Sequence, residues 1–304
     1  MFKKSMFQYS VFFYFLITLW CCAESSNKVD LIVFSYNRPM QLYALLESVD
    51  YYITGLEKIH VVCRVDNDQF RQAYQQVKSD FNDVIFHYQG NNPHKDFKQI
   101  TEALLLQPTS NYVLFAVDDI IVKDYLDLQE CTIALQQTKA YGFYLRLGTN
   151  LTECYMLRCS QTLPPLKLVK PTIYSWIIKE GLYDWGYSNT VDMTLYKKSD
   201  ILQTIQSLFY WSPNSLESLW SRRSVEVNRR KGLCFEQSKI VNIPVNLVNK
   251  SLNRYMEGLT AEELLVLFNR GLKIDIASLY KINNKGAHMD YELKFLPRTK
   301  TIFH

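Results

Sequence analysis

Two adjacent carboxylates, Asp118 and Asp119, stand directly after the apolar run Tyr112–Val117. A short continuous apolar run of this kind predicts a strand that is covered on both faces. Carboxylate oxygens at the end of such a strand suit a hard divalent cation. The alternative is that the two acids only cap the helix that follows. Their position at a strand end favours the ligand-binding interpretation.

Three other predicted strands also end in polar residues. In an open parallel sheet, ligands bind at the carboxyl ends of the strands, near a topological switch point. Because four strand ends are polar, we predict that they face one cleft. Asp68 alone is better explained as a helix cap. The other three polar ends are Ser35–Arg38, Arg64–Asp68 and Gln89–Asn92.

These strand ends belong to a regular alternation of strands and helices. Apolar runs alternate with segments in which apolar residues recur at helical spacing, with Asp96 as a predicted N-cap. Strands separated by single helices predict an α/β fold with a mainly parallel sheet flanked by helices. The predicted strands are Val29–Tyr36, Lys58–Val65, Val84–Tyr88, Tyr112–Val117 and Tyr141–Leu147.

The second half of the chain is less regular. We predict a strand at Thr190–Tyr196, an edge strand at Lys239–Val248, and a helix that begins at the capping box Thr260/Glu263. A short helix is also expected from Ser212 to Trp220. No internal repeat or flexible linker separates the halves, residues 29–150 and 151–304, so we expect them to pack as one unit.

Composition limits the class of protein. The chain has 304 residues, of which 48% are hydrophobic, which is enough to bury a core and excludes a disordered protein. The formal net charge of +4 is too small to indicate a nucleic-acid partner. The motifs G-x-S-x-G, H-E-x-x-H and the P-loop are absent from the sequence, which disfavours a hydrolase.

The N-terminus predicts export. Lys3 and Lys4 precede the apolar run Met6–Ala23, so residues 1–24 form either a cleaved signal peptide or a membrane-retained signal anchor. Both alternatives place the rest of the chain across a membrane. We therefore expect a periplasmic or membrane location in a bacterium, and the lumen of the secretory pathway in a eukaryote. In such an oxidising compartment Cys154 and Cys159 are close enough in sequence to form a disulfide, which the sequence leaves open.

Two segments resemble a known family. The segment LIVFSYNRPMQLYALLES (31–48) is similar to the opening strand, loop and helix of GT-A-fold nucleotide-diphospho-sugar glycosyltransferases, and VLFAVDDIIV (113–122) resembles the strand of their DxD motif. Val117 stands at the first acidic position of that motif. The resemblance implies a Rossmann-like fold in which the first half binds a nucleotide sugar and the second half, merged with it, supplies acceptor and catalytic groups.

The resemblance also implies roles for single residues. Ser35, Asn37 and Arg38 would lie along the nucleotide, and Asp66 would approach its base or ribose. Asp118 would lie near the ribose or the donor sugar. Asp119 would bind a divalent cation, Mn²⁺ or Mg²⁺, which neutralises charge on the leaving diphosphate. A C-terminal histidine closes the metal site in some members of the superfamily, and His288 is the residue that could match.

A transfer that inverts the anomeric centre also needs a carboxylate base for the acceptor hydroxyl. Glu217, in the first turns of the short helix, is the first candidate, and Asp184, in the aromatic segment Tyr183–Tyr187, is the second. The alternative for Glu217 is that it completes a capping box with Asn214. The alternative for Asp184 is that the aromatic segment is simply packed in the interior.

The sequence therefore predicts a metal-assisted, inverting glycosyltransferase of the hexosyl or N-acetylhexosaminyl type. Its donor would be a UDP- or GDP-sugar, and its acceptor a hydroxyl of a glycan or another molecule. The alternative is a non-catalytic carbohydrate- or nucleotide-binding module on a degenerate GT-A scaffold.

Overall fold

The computed structural model describes residues 27–246 and 258–298. The predicted signal peptide or anchor, residues 1–24, lies outside these ranges, as does the end of the predicted edge strand Lys239–Val248. In the described ranges, none of the helices is both long and apolar enough to cross a bilayer.

Seventeen strands and seven α-helices make up the described chain. The strands are β1 Val29–Tyr36, β2 Ile53–Thr54, β3 Leu56–Arg64, β4 Val84–Tyr88, β5 Tyr112–Val117, β6 Ile120–Val122, β7 Leu126–Asp127, β8 Gly142–Gly148, β9 Glu153–Cys154, β10 Cys159–Ser160, β11 Lys167–Lys170, β12 Ile173–Ile177, β13 Thr194–Lys197, β14 Lys231–Phe235, β15 Ile240–Asn242, β16 Leu272–Ile274 and β17 Phe295–Pro297. The helices are α1 Pro39–Tyr52, α2 Asp68–Asp80, α3 Pro93–Leu105, α4 Leu128–Thr138, α5 Lys198–Ser207, α6 Pro213–Ser221 and α7 Ala261–Asn269.

Nine strands form the central sheet in the order β11-β12-β14-β8-β13-β5-β1-β3-β4. β1 is an interior strand that pairs in parallel with β3 on one side and with β5 on the other. The chain therefore changes direction across the sheet at β1, and the carboxyl ends of β1 and β5 form a topological switch point. Only β12 and β13 run against the other strands of this sheet. The predicted α/β fold with a mainly parallel sheet flanked by helices is confirmed.

The sheet is covered on both faces because successive strand side chains point to opposite sides. In β1, Leu31 and Val33 pack with α1 and α2, while Ile32 and Phe34 pack with α3, α5 and α6. This two-sided burial explains why β1 and β5 read as continuous apolar runs.

The second half joins the same sheet in a way that the sequence does not reveal. β13 lies between β5 and β8 and is antiparallel to both. It begins at Thr194 rather than at the predicted Thr190, because Met193 adopts a φ of 42° and the preceding residues turn into the site described below. The predicted edge strand is shortened to β15, which pairs with β6 outside the central sheet.

Two helix caps differ from the predictions. The N-caps of α2 and α3 are Asn67 and Asn92, whose side chains accept from Phe70 N–H and Lys95 N–H. Asp96 instead accepts from Gly90 N–H at 2.7 Å. The capping box of Thr260 and Glu263 is confirmed at the start of α7.

Cys154 and Cys159 face each other across the β9–β10 hairpin. Both thiols are free in the structure.

Candidate active site

The acid pair lies at the switch point, where β5 ends and the short strand β6 begins. Asp118 is buried, and the Asp119 side chain is 14% exposed. Arg38 bridges the two carboxylates, with Nη1 3.0 Å from Asp118 Oδ1 and 3.3 Å from Asp119 Oδ2. The predicted helix-cap role of the pair is not seen, because the next helix, α4, is capped by Asp127.

Arg38 reaches the acids because of the turn between β1 and α1. Asn37 adopts a φ of 52°, a left-handed conformation that asparagine tolerates better than most residues, and Pro39 starts the helix. The guanidinium also donates to the backbone carbonyl of Asn246. Arg38, which we expected to lie along the nucleotide, is 7% exposed and bridges the acid pair.

Both carboxylate oxygens of Asp118 accept hydrogen bonds from the protein itself. Its Oδ2 accepts from the Ser35 hydroxyl at 2.8 Å and from Tyr36 N–H at 3.2 Å, while Oδ1 accepts from Arg38. Tyr74, on α2, contacts the Ser35 hydroxyl and accepts from Arg38 N–H. Ser35 and Asp118, both expected to contact the donor, therefore form an interior network that positions Asp119.

One carboxylate oxygen of Asp119 is available to a ligand. Its Oδ1 is buried and has no hydrogen-bond partner in the described part of the chain. Burial raises the pKa of both acids, and Arg38 counteracts this rise. The Asp192 carboxylate raises the pKa of Asp119 further, whereas His288 lowers it. Asp192 and His288 are therefore electrostatic neighbours of Asp119.

His288 is brought to this corner by β15. β15 pairs with β6, directly after the acid pair, and Asn242 forms a bridge with His288. The imidazole stacks on Tyr155, with ring centroids 5.9 Å apart and planes 19° apart. Its Nε2 lies 3.9 Å from Asp192 Oδ2. The structure thus places the predicted histidine beside the acids, although 169 residues separate it from Asp119.

Asp192 is a site residue that sequence reasoning missed. It lies two residues before the start of β13, and because β13 is antiparallel, its beginning lies at the carboxyl ends of β5 and β8. An aspartate before a strand normally marks the opposite edge of a parallel sheet. Only the strand direction, which periodicity does not give, could have identified Asp192.

Glu217 projects from α6 into the same corner. Ser212 and Ser215 form the capping box of this helix, so the predicted alternative of a box with Asn214 is wrong. Glu217 Oε1 accepts from the Thr190 hydroxyl at 2.5 Å and from Val191 N–H at 3.0 Å. Burial, and then the charge of Asp192, raise the pKa of Glu217 to about 7, against the lowering effect of the two hydrogen bonds. Such a pKa suits a general base near neutral pH.

Asp184, the second candidate base, is held by other groups. Its carboxylate lies 3.7 Å from Arg146 Nη1 and accepts from Gln161 Nε2 at 3.1 Å. In the same aromatic segment Trp185 is 1% exposed, and its carbonyl accepts from Trp176. The predicted alternative of an interior aromatic segment therefore describes Trp185, and Asp184 has a cation beside its carboxylate.

The ends of β1 and β3 form a more open polar surface. Asn37 Nδ2 donates to Asp66 Oδ2 at 3.0 Å, and Asp66 N–H donates back to Asn37 Oδ1 at 3.1 Å. Tyr36 donates to the same carboxylate, and its ring lies 4.8 Å from the Arg64 guanidinium carbon. The structure brings the predicted residues Asn37 and Asp66 together and adds Tyr36, which the prediction missed.

The residues around Asp119 would have to bind the divalent cation that the resemblance implies. No cluster of three or more His, Cys, Asp or Glu residues arranged for a metal occurs within residues 27–246 and 258–298. A magnesium ion bound with a substrate diphosphate needs only one or two protein carboxylates, because phosphate oxygens and water fill its shell. The unpartnered Asp119 Oδ1 fits that smaller requirement.

No protein-family model matches the chain. In sequence, it is 28% identical over 206 residues to the bifunctional glycosyltransferase pgtA of Dictyostelium discoideum. The chain resembles a glycosyltransferase. This relative confirms the resemblance to glycosyltransferases predicted from the sequence. The match covers 60% of this chain, which spans 25% of the length of that curated relative.

Solved structures with similar arrangements include the 1–349 portion of S. aureus TarS in complex with UDP. That comparison gives a TM-score of 0.45 and 14% identity, and it covers 83% of this chain and 68% of TarS 1–349. For the complex with UDP-GlcNAc, the TM-score is 0.42 at 14% identity, over 77% of this chain and 61% of that one. Scores at this level carry no conclusion about the function of this chain.

Proposed function

We propose that the chain is a glycosyltransferase that moves a sugar from a nucleoside-diphosphate donor to a hydroxyl acceptor, with inversion at the anomeric carbon. The observation that carries the proposal is that Asp119 and Glu217 lie at the same end of the sheet. The charge of Asp192 acts on both carboxylates and raises the pKa of each. Asp119 offers an unpartnered oxygen at the switch point, where α/β folds bind nucleotides. Glu217 offers a carboxylate whose pKa lies close to neutrality.

Glu217 would act as the general base. Hydrogen bonds from Thr190 and Val191 both engage Oε1, and the described residues supply no hydrogen bond to Oε2. Oε2 would accept the proton of the acceptor hydroxyl while that oxygen attacks the anomeric carbon. The bond from this carbon to the diphosphate oxygen breaks, and the nucleoside diphosphate leaves.

Asp119 and His288 would hold a divalent cation, Mn²⁺ or Mg²⁺, which neutralises charge on the departing diphosphate when bound. Arg38 keeps the Asp119 carboxylate in place through Oδ2, so that Oδ1 is directed away from the guanidinium. Asp118 would act through Arg38 rather than by contact with the donor.

The nucleoside would lie on the surface formed by Tyr36, Asn37 and Asp66. The Tyr36 ring and the Arg64 guanidinium offer stacking faces, and Asn37 and Asp66 offer hydrogen-bonding groups for a base or ribose. The proposed donor is a UDP- or GDP-sugar of the hexosyl or N-acetylhexosaminyl type, which would extend from this surface to the acid corner formed by Asp119, Asp192 and His288. The acceptor would be a glycan or another hydroxyl-bearing molecule.

The proposal is tested by incubating the purified full chain with a panel of UDP- and GDP-sugars, with Mn²⁺ and with chelator, while the released nucleoside diphosphate is measured. We expect release with at least one donor, and we expect Asp119→Asn to weaken donor binding. Unchanged donor binding and turnover in Asp119→Asn would exclude the assigned site. Lys28→Gln, in an exposed ion pair with Glu57 just before β1, serves as the control for general damage.

The second candidate function is a binding module without turnover. The apolar Val117 at the first position of the DxD-like motif and the internal pairing of Asp118 with Arg38 favour it. Donor binding without diphosphate release, across all donors and a broad acceptor pool, would support the module over the enzyme.

A further inference from the structure

The Thr190 hydroxyl occupies a fixed place in the candidate active site. Thr190 is fully buried, and it lies in the turn before β13. Its Oγ1 accepts a hydrogen bond from Asp192 N–H at 3.1 Å. A hydroxyl has one proton to donate, and the 2.5 Å contact with Glu217 Oε1 gives that proton a carboxylate acceptor.

We propose that Thr190 is the positioning residue for Glu217, and that it selects which carboxylate oxygen serves as the base. This inference rests on the proposed function, because it concerns the step that Glu217 performs. Thr190 itself touches neither donor nor acceptor in this account.

The geometry of the two donors carries the inference. The Thr190 hydroxyl and Val191 N–H both point at Oε1, from consecutive residues of one buried turn. A glutamate side chain has several rotatable bonds, and fixing one oxygen at two donors removes most of its freedom. Oε2 is then presented in one orientation, and catalysis depends steeply on such orientation.

The hydroxyl also affects the charge of Glu217. The groups that act on the carboxyl are Asp192, which raises its pKa, and Arg146, which lowers it together with the Thr190 and Val191 hydrogen bonds. Tyr187, whose own pKa Glu217 raises, is the other titratable neighbour. Loss of the Thr190 hydroxyl therefore raises the pKa of Glu217, and the acidic limb of the pH–rate profile moves to higher pH.

Thr190→Val keeps the shape of the side chain and removes the hydroxyl, whereas Thr190→Ser keeps the hydroxyl. Thr194→Val is the matched control, because Thr194 is equally buried and its hydroxyl reaches the Asp192 carbonyl rather than Glu217. Turnover and donor binding are measured on the full chain over a range of pH. Thermal unfolding of each variant is recorded alongside.

We expect Thr190→Val to lower kcat about 10-fold or more, with an unchanged KM for the donor and an acidic limb at higher pH. Thr190→Ser should have the kcat and the acidic limb of the wild type, and Thr194→Val should change neither kcat nor the acidic limb. A Thr190→Val enzyme with the kcat and pH profile of the wild type overturns the inference. The same holds if Thr194→Val produces the same shift, since the effect is then one of packing.

If Thr190→Val does not fold, Thr190→Cys compared with Thr190→Ser replaces it, because a thiol is a weak donor of similar size. Equal kcat values for the cysteine and serine variants would overturn the inference. Glu217→Gln separates this inference from the proposed function. If Glu217→Gln keeps full turnover, the base assignment fails, whereas a loss in Glu217→Gln without one in Thr190→Val defeats the Thr190 inference alone.

Discussion

Glu217 and Asp184 are both carboxylates in the second half of the chain that the sequence offers as candidate bases. Their surroundings in the structure differ. Asp184 lies against the Arg146 guanidinium and a glutamine amide. Within residues 27–246 and 258–298 no cation forms an ion pair with Glu217, although Arg146 lowers its pKa from a distance, and Asp192 adds a like charge nearby. Burial near another acid disfavours the charged form of a carboxylate and makes it a stronger base. The partner, rather than the residue type, therefore separates a structural acid from a candidate catalytic acid.

The largest expected effect is on catalysis. Glu217→Gln should lower kcat by about 10²- to 10⁴-fold with little change in donor affinity, because the amide cannot take a proton. Asp184→Asn should leave the KM and the pH profile near those of the wild type. Diphosphate release by the two variants, set beside calorimetric donor binding, measures the contrast. Equal losses in both variants would remove the distinction between the two acids.

The next effect is on stability, at the buried ion pair in the first half. Arg38→Leu leaves Asp118 and Asp119 without their cation and should lower the free energy of unfolding by about 3–5 kcal/mol. Arg64→Leu breaks a pair with Asp66 in which both side chains are about two-fifths exposed, and should cost about 1 kcal/mol or less. Urea unfolding of the two variants tests this ordering. Similar midpoints would mean that Arg38 does not support the acid pair.

Part of the candidate site could be predicted from the sequence, and part of it could not. The bounds of β1, β4 and β5 follow from apolar runs, so the switch point and the acid pair after β5 were predictable. The pairing of Arg38 with the acids was not, because it depends on the left-handed turn at Asn37. Asp192 and Thr190 were also hidden, since nothing in the local pattern shows that β13 enters the sheet antiparallel between β5 and β8.

A smaller effect is expected in the pH dependence of turnover. The pKa of Glu217 is raised to about 7, so the deprotonated base is lost as the pH falls below that value. The rate should therefore fall tenfold for each pH unit below about 6. A rate that stays level from pH 8 to pH 5 would contradict the assignment of Glu217.

The smallest effect is on stability in mild acid, away from the site. Burial, together with the neighbouring His87, lowers the pKa of His60 to about 4 from 6.5. The folded state thus binds fewer protons than the unfolded state between these values. The contribution of neutral His60 to stability is full above pH 6.5 and is lost progressively as the pH falls towards 4. His60→Gln should flatten this slope in thermal unfolding, and His94→Gln, on the exposed surface, should leave it unchanged.

The central claim is that Asp119 and Glu217 face the same donor from opposite halves of the chain. The most direct test is a crystal structure of the full chain with Mn²⁺ and the preferred nucleotide sugar, with manganese located by anomalous scattering. The account predicts a manganese peak within bonding distance of Asp119 Oδ1 and the anomeric carbon on the side of Glu217 Oε2. Donor bound away from the ends of β1 and β5, or with Glu217 turned from the anomeric carbon, would contradict it.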